Sequence, residues 1–395
     1  MFAAHERAGK RFATTQIWQR AQELRTVFAK PHGRALICKR EYRRICYRAN
    51  SRLMDSPILK TEASPGVTDE KPTRKGKELI EATRPFAKEA VFRSNAHLVL
   101  GLAIAAGCAL IAARDGWWPL RCLASVGEGL IIVRLFIIYH DFMHGSVLRN
   151  SRIARAILHT FGFLVMAPPR VWRETHNYHH AHTAKIVGSG IGSFPMVTTA
   201  MWQKMPKAMR LRYRAARHPL TILFGYFTLF MWGFCIASLV RAPRKYWSAG
   251  VAVLLNWALT FAIAKMAGAA TLALAFGLPL AIACALGGYL FYAQHNFPGM
   301  DVQPRETWSF ADAALRSSSY MRTGRFMTFV TGNIGFHHVH HLNPSIPFYR
   351  LPEAMRSIPE LQDPITTSLS PKDVRACLSL KLWDAERGTL VAFPR

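Results

Sequence analysis

Acid is scarce in this sequence: 23 Asp and Glu stand against 51 Lys and Arg, a formal net charge of +28. So basic a balance suits nucleic acid, anionic lipid or an acidic protein partner. Nucleic acid is set aside, because no helix-turn-helix, zinc-finger or RNA-recognition signature occurs. Cysteine is scarce too, with seven residues and no C-x-x-C pair. Several lie in apolar runs and read as core filler in a reducing compartment, not as a disulfide framework. Also missing are the apolar region of a signal peptide, the H-E-x-x-H motif of zinc proteases and the Glu plus Glu-x-x-His pattern of soluble di-iron bundles.

Apolar residues make up half of the chain, gathered in long runs that point to a membrane protein. Residues 1–53 are basic, most densely at Lys39, Arg40, Arg43, Arg44 and Arg48. They read either as an arm that touches anionic lipid or as an untranslated upstream extension, with Met54 as the start. A flexible linker follows over 56–73, then an interfacial helix over 75–92 interrupted at Pro85. Runs 96–113 and 119–139, joined by a tight turn at 114–118, form a first hairpin. Glu128 and Arg134 inside it are expensive in lipid, so they pair, snorkel or face the protein interior. Residues 149–218 are markedly basic and therefore cytoplasmic, with 153–166 an in-plane or buried helix.

Three more apolar runs cover 220–240, 249–267 and 271–293. If all three crossed, the downstream histidines would lie on the wrong side of the membrane from those upstream. Arg241, Arg244 and Lys245 keep their loop in the cytoplasm, so 220–240 is interfacial or re-entrant. The other two runs make a second hairpin around 266–270. The expected fold is all-α and integral to the membrane: two transmembrane hairpins with four crossings, interfacial helices and a cytoplasmic His-rich cap. The domains read as a basic, flexible extension over 1–74, a membrane domain over 75–359 and a cytoplasmic tail over 360–395. Short helices are expected at 310–325, 351–356 and 371–378.

Histidine carries the chemistry. His337, His340 and His341 stand at i, i+3 and i+4, one face of one helical turn, framed by Gly332, Gly335 and Pro344. His176, His179 and His180 repeat that spacing, and His140 and His144 stand at i, i+4. A purification tag would be terminal and uninterrupted; three internal clusters with matched spacing predict metal ligands. Eight imidazoles are too many for one ion, so two metals are expected, and imidazole suits iron, copper or zinc. His295, where the last spanning run emerges at the same face, is a ninth candidate. His338 lies off the shared spacing and is expected to support a ligand, while His182 either does so or is solvated. Asp141, Glu174, Asn177, Asn296 and Asn333 are placed to accept the N–H of a metal-bound imidazole. His5, His32, His97, His159 and His218 carry no expected role. A nitrogen-rich pair of redox metals beside an apolar interior suits dioxygen activation and hydrogen abstraction from a hydrocarbon chain.

The boxes His140-x-x-x-His144, His176-x-x-His179-His180 and His337-x-x-His340-His341, in this order around two hairpins, resemble the membrane fatty acid desaturases over residues 75–359. The stretch 332–350 is similar to bacterial acyl-lipid desaturases of the Δ12 (omega-6) kind. The resemblance implies two iron ions (Fe2+/Fe3+) held by the boxes and His295, and no catalytic residues beyond these ligands. It also implies a reaction in which O2, two electrons and two protons convert CH2–CH2 of a membrane lipid acyl chain into a cis double bond, with release of water. The expected location is a bacterial inner membrane with the boxes on the cytoplasmic face. The third box begins with His337 and not Gln, and no fused cytochrome b5 motif occurs, which sets a front-end desaturase aside. Electrons are then expected from a separate carrier, an acidic ferredoxin docking on the basic face. A related hydroxylase or ketolase of lipid, alkane or carotenoid would use the same boxes. A His-rich metal transporter would instead place its ligands near the bilayer midplane.

Overall fold

The computed structural model describes residues 73–186, 190–304 and 306–394. The basic arm, and all but the last residue of the linker, lie outside them. Helix Gly76–Ala82 gives way to a 3-10 turn at Arg84–Ala87, because Pro85 has no N–H to continue the ladder.

Three helices are long and apolar enough to cross a membrane: Val91–Ala113, Trp118–His144 and Trp247–Ala293. Their outer surfaces are hydrocarbon: Val99, Leu110, Leu254 and Phe261 are each more than half exposed, a patch that lipid accepts and water does not. The third helix breaks at Gly268, with φ 80° and ψ 170°, a conformation open to glycine. Beside this break Thr271 Oγ1 donates to the carbonyl of Ala113 at 3.3 Å, so it meets the end of the first helix. The apolar helix Tyr226–Arg241 falls in the 10–17-residue range, short of the roughly 20 that a crossing needs. Its first part, Tyr226–Ile236, is wound as a π-helix.

Glu128 and Arg134 of the second spanning helix are both buried and do not pair with each other. Arg134 is 3% exposed, donates to the Phe329 carbonyl and lies 3.1 Å from His97 Nδ1. Its guanidinium also sits 4.0 Å from the Phe329 ring centre. An arginine of the spanning helix thus pins the segment that leads into the third box.

Two expectations need correction. The helix expected over 310–325 ends at Arg316. Ser317, the next residue, donates its Oγ–H to the Asp301 carbonyl at 2.7 Å, a bond outside the helix. The chain continues as strand Tyr320–Arg322, parallel to Thr366–Ser368. A second pair, Leu382–Asp384 with Thr389–Val391, is antiparallel, so the fold is mostly helical and not all-α. Cys377 and Trp383 of the carboxy-terminal segment are buried in one core with Ala293 and Phe297, beside the end of the last spanning helix.

Candidate metal centre

His140 and His144 occupy the last turn of Trp118–His144, which Gly145 closes in the left-handed region at φ 76°. His176, His179 and His180 lie on Pro169–His182, where proline at the first helical position forfeits no hydrogen bond. His337, His340 and His341 fill the short helix His337–Leu342. His295 stands just past Ala293.

These nine side chains converge into two groups. His140, His144, His176, His180 and His340 form one; His179, His295, His337 and His341 form the other. Within each, the ligand nitrogens lie within 4.8 Å of one another. Each three-histidine box is split by the same rule. Its i, i+4 pair serves one group and its middle histidine crosses to the other, because i and i+4 differ by about 40° around the helix while i+3 falls about 60° to the opposite side. The groups adjoin: the His180 ring stacks on that of His341, 4.1 Å between centres.

Hydrogen bonds fix several ring orientations. His140 Nδ1 lies 2.9 Å from Asp141 Oδ1, His295 Nδ1 donates to the Ser317 carbonyl at 3.0 Å, and His341 Nδ1 lies 3.3 Å from Thr183 Oγ1. Each bond commits a proton to Nδ1 and leaves Nε2 as a lone pair facing the group. The Nε2 atoms face one another: His295 Nε2 lies 2.8 Å from His337 Nε2 and 3.0 Å from His179 Nε2, and His176 Nε2 lies 3.0 Å from His140 Nε2. Burial first, then the charge of neighbouring rings, holds His176, His179, His180, His337, His340 and His341 well below the ordinary imidazole range. Burial takes His295 down to about 4 against the opposing pull of its bond to the Ser317 carbonyl.

Neutral imidazole nitrogens converging to about 3 Å are what two nitrogens bound to one ion at about 2 Å present. The donors fit a metal. Five imidazoles in one group exceed the four of a closed structural zinc site, and an all-nitrogen set suits redox metals.

Of the residues expected to support ligands, Asp141 bonds a clustered histidine, His140, directly, and its Oδ2 accepts from the Phe348 amide at 2.6 Å. Asn333 is one step removed, donating to the Phe348 carbonyl at 3.1 Å. The others point elsewhere. Glu174 pairs with Lys245 at 2.5 Å and accepts from Tyr246 at 2.7 Å, Asn177 is exposed, and Asn296 joins Arg217 to the Cys377 carbonyl. His338 turns out of both groups onto the Leu361 carbonyl at 3.1 Å, and His182 bonds the Tyr178 carbonyl at 2.9 Å. Thr183 and Ser317 were not legible as supports; the one hint is that Thr183 stands four residues after His179.

A cavity of about 720 Å³ opens from the histidines between the spanning helices and the Tyr226–Arg241 helix. Ile132, Phe136 and Phe291 line it along with His140, His176 and His337. It thus reaches imidazoles of both groups.

Residues 115–368 match the family model for fatty acid desaturases. The chain is similar to a fatty acid desaturase of Bacillus subtilis (strain 168), 30% identical over 279 residues, which are 69% of this chain and 76% of the relative. It is also similar to an sn-1 oleoyl-lipid 12-desaturase of Synechocystis sp., 26% identical over 62% of this chain and 69% of that one. A chloroplastic sn-2 acyl-lipid omega-3 desaturase (ferredoxin) of Helianthus annuus is 25% identical over 67% of this chain and 61% of its own length.

Proposed function

The chain belongs to the fatty acid desaturase family, and we propose that it is a di-iron acyl-lipid desaturase that places a cis double bond of the Δ12 (omega-6) kind. The observation that carries this reading is the apolar cavity that ends on His140, His176 and His337. A cavity of this size lies within the about 300–1,000 Å³ of ligand pockets, and its lining suits a hydrocarbon chain.

His140, His144, His176, His180 and His340 would hold one iron, and His179, His295, His337 and His341 the other. Bound there, the irons supply the oxidising power by which O2, two electrons and two protons remove two hydrogens from CH2–CH2 and leave two waters. The protein's part is placement. Phe291 and Phe136 hold the acyl chain against the imidazoles, the apolar walls keep water out, and Asp141 and Thr183 fix the ring tautomers.

Four crossings follow if the chain turns at Gly268, since 247–267 and 269–293 each have the roughly 20 residues needed. The arginines around the second box then put the histidines at the cytoplasmic face of a bacterial inner membrane. The external electron donor on this reading is a ferredoxin, as named for the Helianthus relative, drawn by the basic face. Expression in a host with a simple fatty acid profile, with mass mapping of double bonds, tests the proposal. Loss of two hydrogens at one acyl position is expected; gain of oxygen would make the protein a hydroxylase.

A further inference from the structure

The acyl cavity leads to the histidines from the apolar side, so a carrier protein must deliver electrons from elsewhere. Trp308 is half-buried and does not line that cavity. Its Nε1–H donates to the Thr183 carbonyl at 2.9 Å, and Lys185 Nζ sits 3.7 Å from its ring centre. Thr183 is 4% exposed. Its Oγ1 donates to the His179 carbonyl at 2.9 Å, which leaves a lone pair for His341 Nδ1 at 3.3 Å. A solvent-reached aromatic ring is therefore joined to a histidine of the four-membered group through one residue, Thr183, whose backbone carbonyl makes one hydrogen bond and whose hydroxyl makes the other. The other ring-orienting partners, Asp141 and Ser317, are 1% and 0% exposed. Among the described residues, only the Thr183 branch ends on an aromatic ring at the surface.

We propose that Trp308 is where reducing electrons enter the metal centre, passing through Thr183 to His341, with Lys185 presenting positive charge to the carrier. This rests on the desaturase reading above. The reductant is a one-electron iron–sulfur carrier. Two carriers are oxidised per double bond, and their electrons end in the two waters with two protons from solvent and the two acyl hydrogens. Trp308 and Thr183 end each turnover unchanged. The cation over the indole face is itself favourable and offers an acidic partner its counter-charge.

Rapid mixing of the iron-loaded protein with reduced plant-type ferredoxin, and separately with dithionite, tests this. The readouts are ferredoxin reoxidation and iron content. In Trp308→Leu the ferredoxin rate is expected to fall at least about tenfold relative to the dithionite rate, with iron content kept. Thr183→Val should lower the same ratio, and Thr183→Ser should restore it. An unchanged ratio in Trp308→Leu overturns the inference, as does a loss of iron or an equal slowing with both reductants, which would make Trp308 a packing residue. A wild-type protein that binds no iron overturns the metal reading itself, a result separate from an iron-loaded protein indifferent to Trp308.

Discussion

His140 and Asp141 are consecutive in the chain and bond to each other through their side chains, Nδ1 to Oδ1 at 2.9 Å. The carboxylate is 1% exposed, and its other oxygen accepts the Phe348 amide at 2.6 Å. One acid therefore couples the first histidine box to the turn that follows the third.

Asp141→Asn keeps an oxygen for one of these bonds and sets an N–H against the other donor. Removing such outer support typically costs about 10–100-fold in metal affinity or activity. Iron affinity, measured by competition with a chelator, is expected to fall in that range while the protein still inserts into the membrane. Unchanged affinity would show that the pair does not orient His140.

The division of the histidines predicts metal stoichiometry. His144→Ala touches only the five-membered group and His337→Ala only the four-membered one. Each should lower the iron content of the purified protein from about two per chain towards about one, without emptying the other group. His338→Ala should keep both irons and lose stability, by about 1–3 kcal/mol for an orphaned buried carbonyl. Loss of iron in His338→Ala, measured by elemental analysis, would put that residue among the ligands.

The spacing of the boxes revealed which histidines gather, because i, i+3 and i+4 place three rings on one side of a helix whatever surrounds it. It did not reveal how they are shared. Helical spacing splits each box, but which parts join across boxes is tertiary: His179 meets His337 and His341, and His340 meets His176 and His180. The same limit explains the supports. Glu174 and Asn177 sit beside His176 in sequence but on the outward arc of the helix, whereas Ser317 and Thr183 arrive from positions that no periodicity marks. The break at Gly268 lies within the expected 266–270 because Gly268 interrupts an apolar run. The strand at Tyr320–Arg322 was hidden because its partner stands more than forty residues downstream.

Lys381 supplies a pH test away from the metal. It is 7% exposed and donates to the Arg217 carbonyl at 2.6 Å. Burial, then the charge of Arg217, pushes its pKa down to about 8 from 10.5. Between those values the unfolded chain binds a proton that the folded protein has released. Stability therefore rises with pH across that window, by at most about 1.4 kcal/mol per pH unit, and this term is flat below about 8. Lys381→Met lacks the titration. The difference in melting temperature between wild type and Lys381→Met should move in favour of wild type from pH 8 to pH 10, and a constant difference would refute the assignment.

Gly287 offers a handle on chain length. It lines the acyl cavity, and a Cβ built there meets nothing within 4 Å, so a side chain would fill empty space and not strike a neighbour. It precedes His295 by eight positions, about 12 Å along a helix, which sets it away from the histidine end of the cavity. Phe at this position should block the far end of long acyl chains and leave the reacting carbons undisturbed. The loss of contact over even one methylene is worth roughly tenfold or more in discrimination. Gly287→Phe is therefore expected to cut product from the longest chains at least about tenfold relative to shorter ones, with iron content unchanged, while Gly287→Ala behaves as wild type. Lipid extracts analysed by chain length decide the matter: an unaltered profile in Gly287→Phe would mean that the acyl chain runs elsewhere.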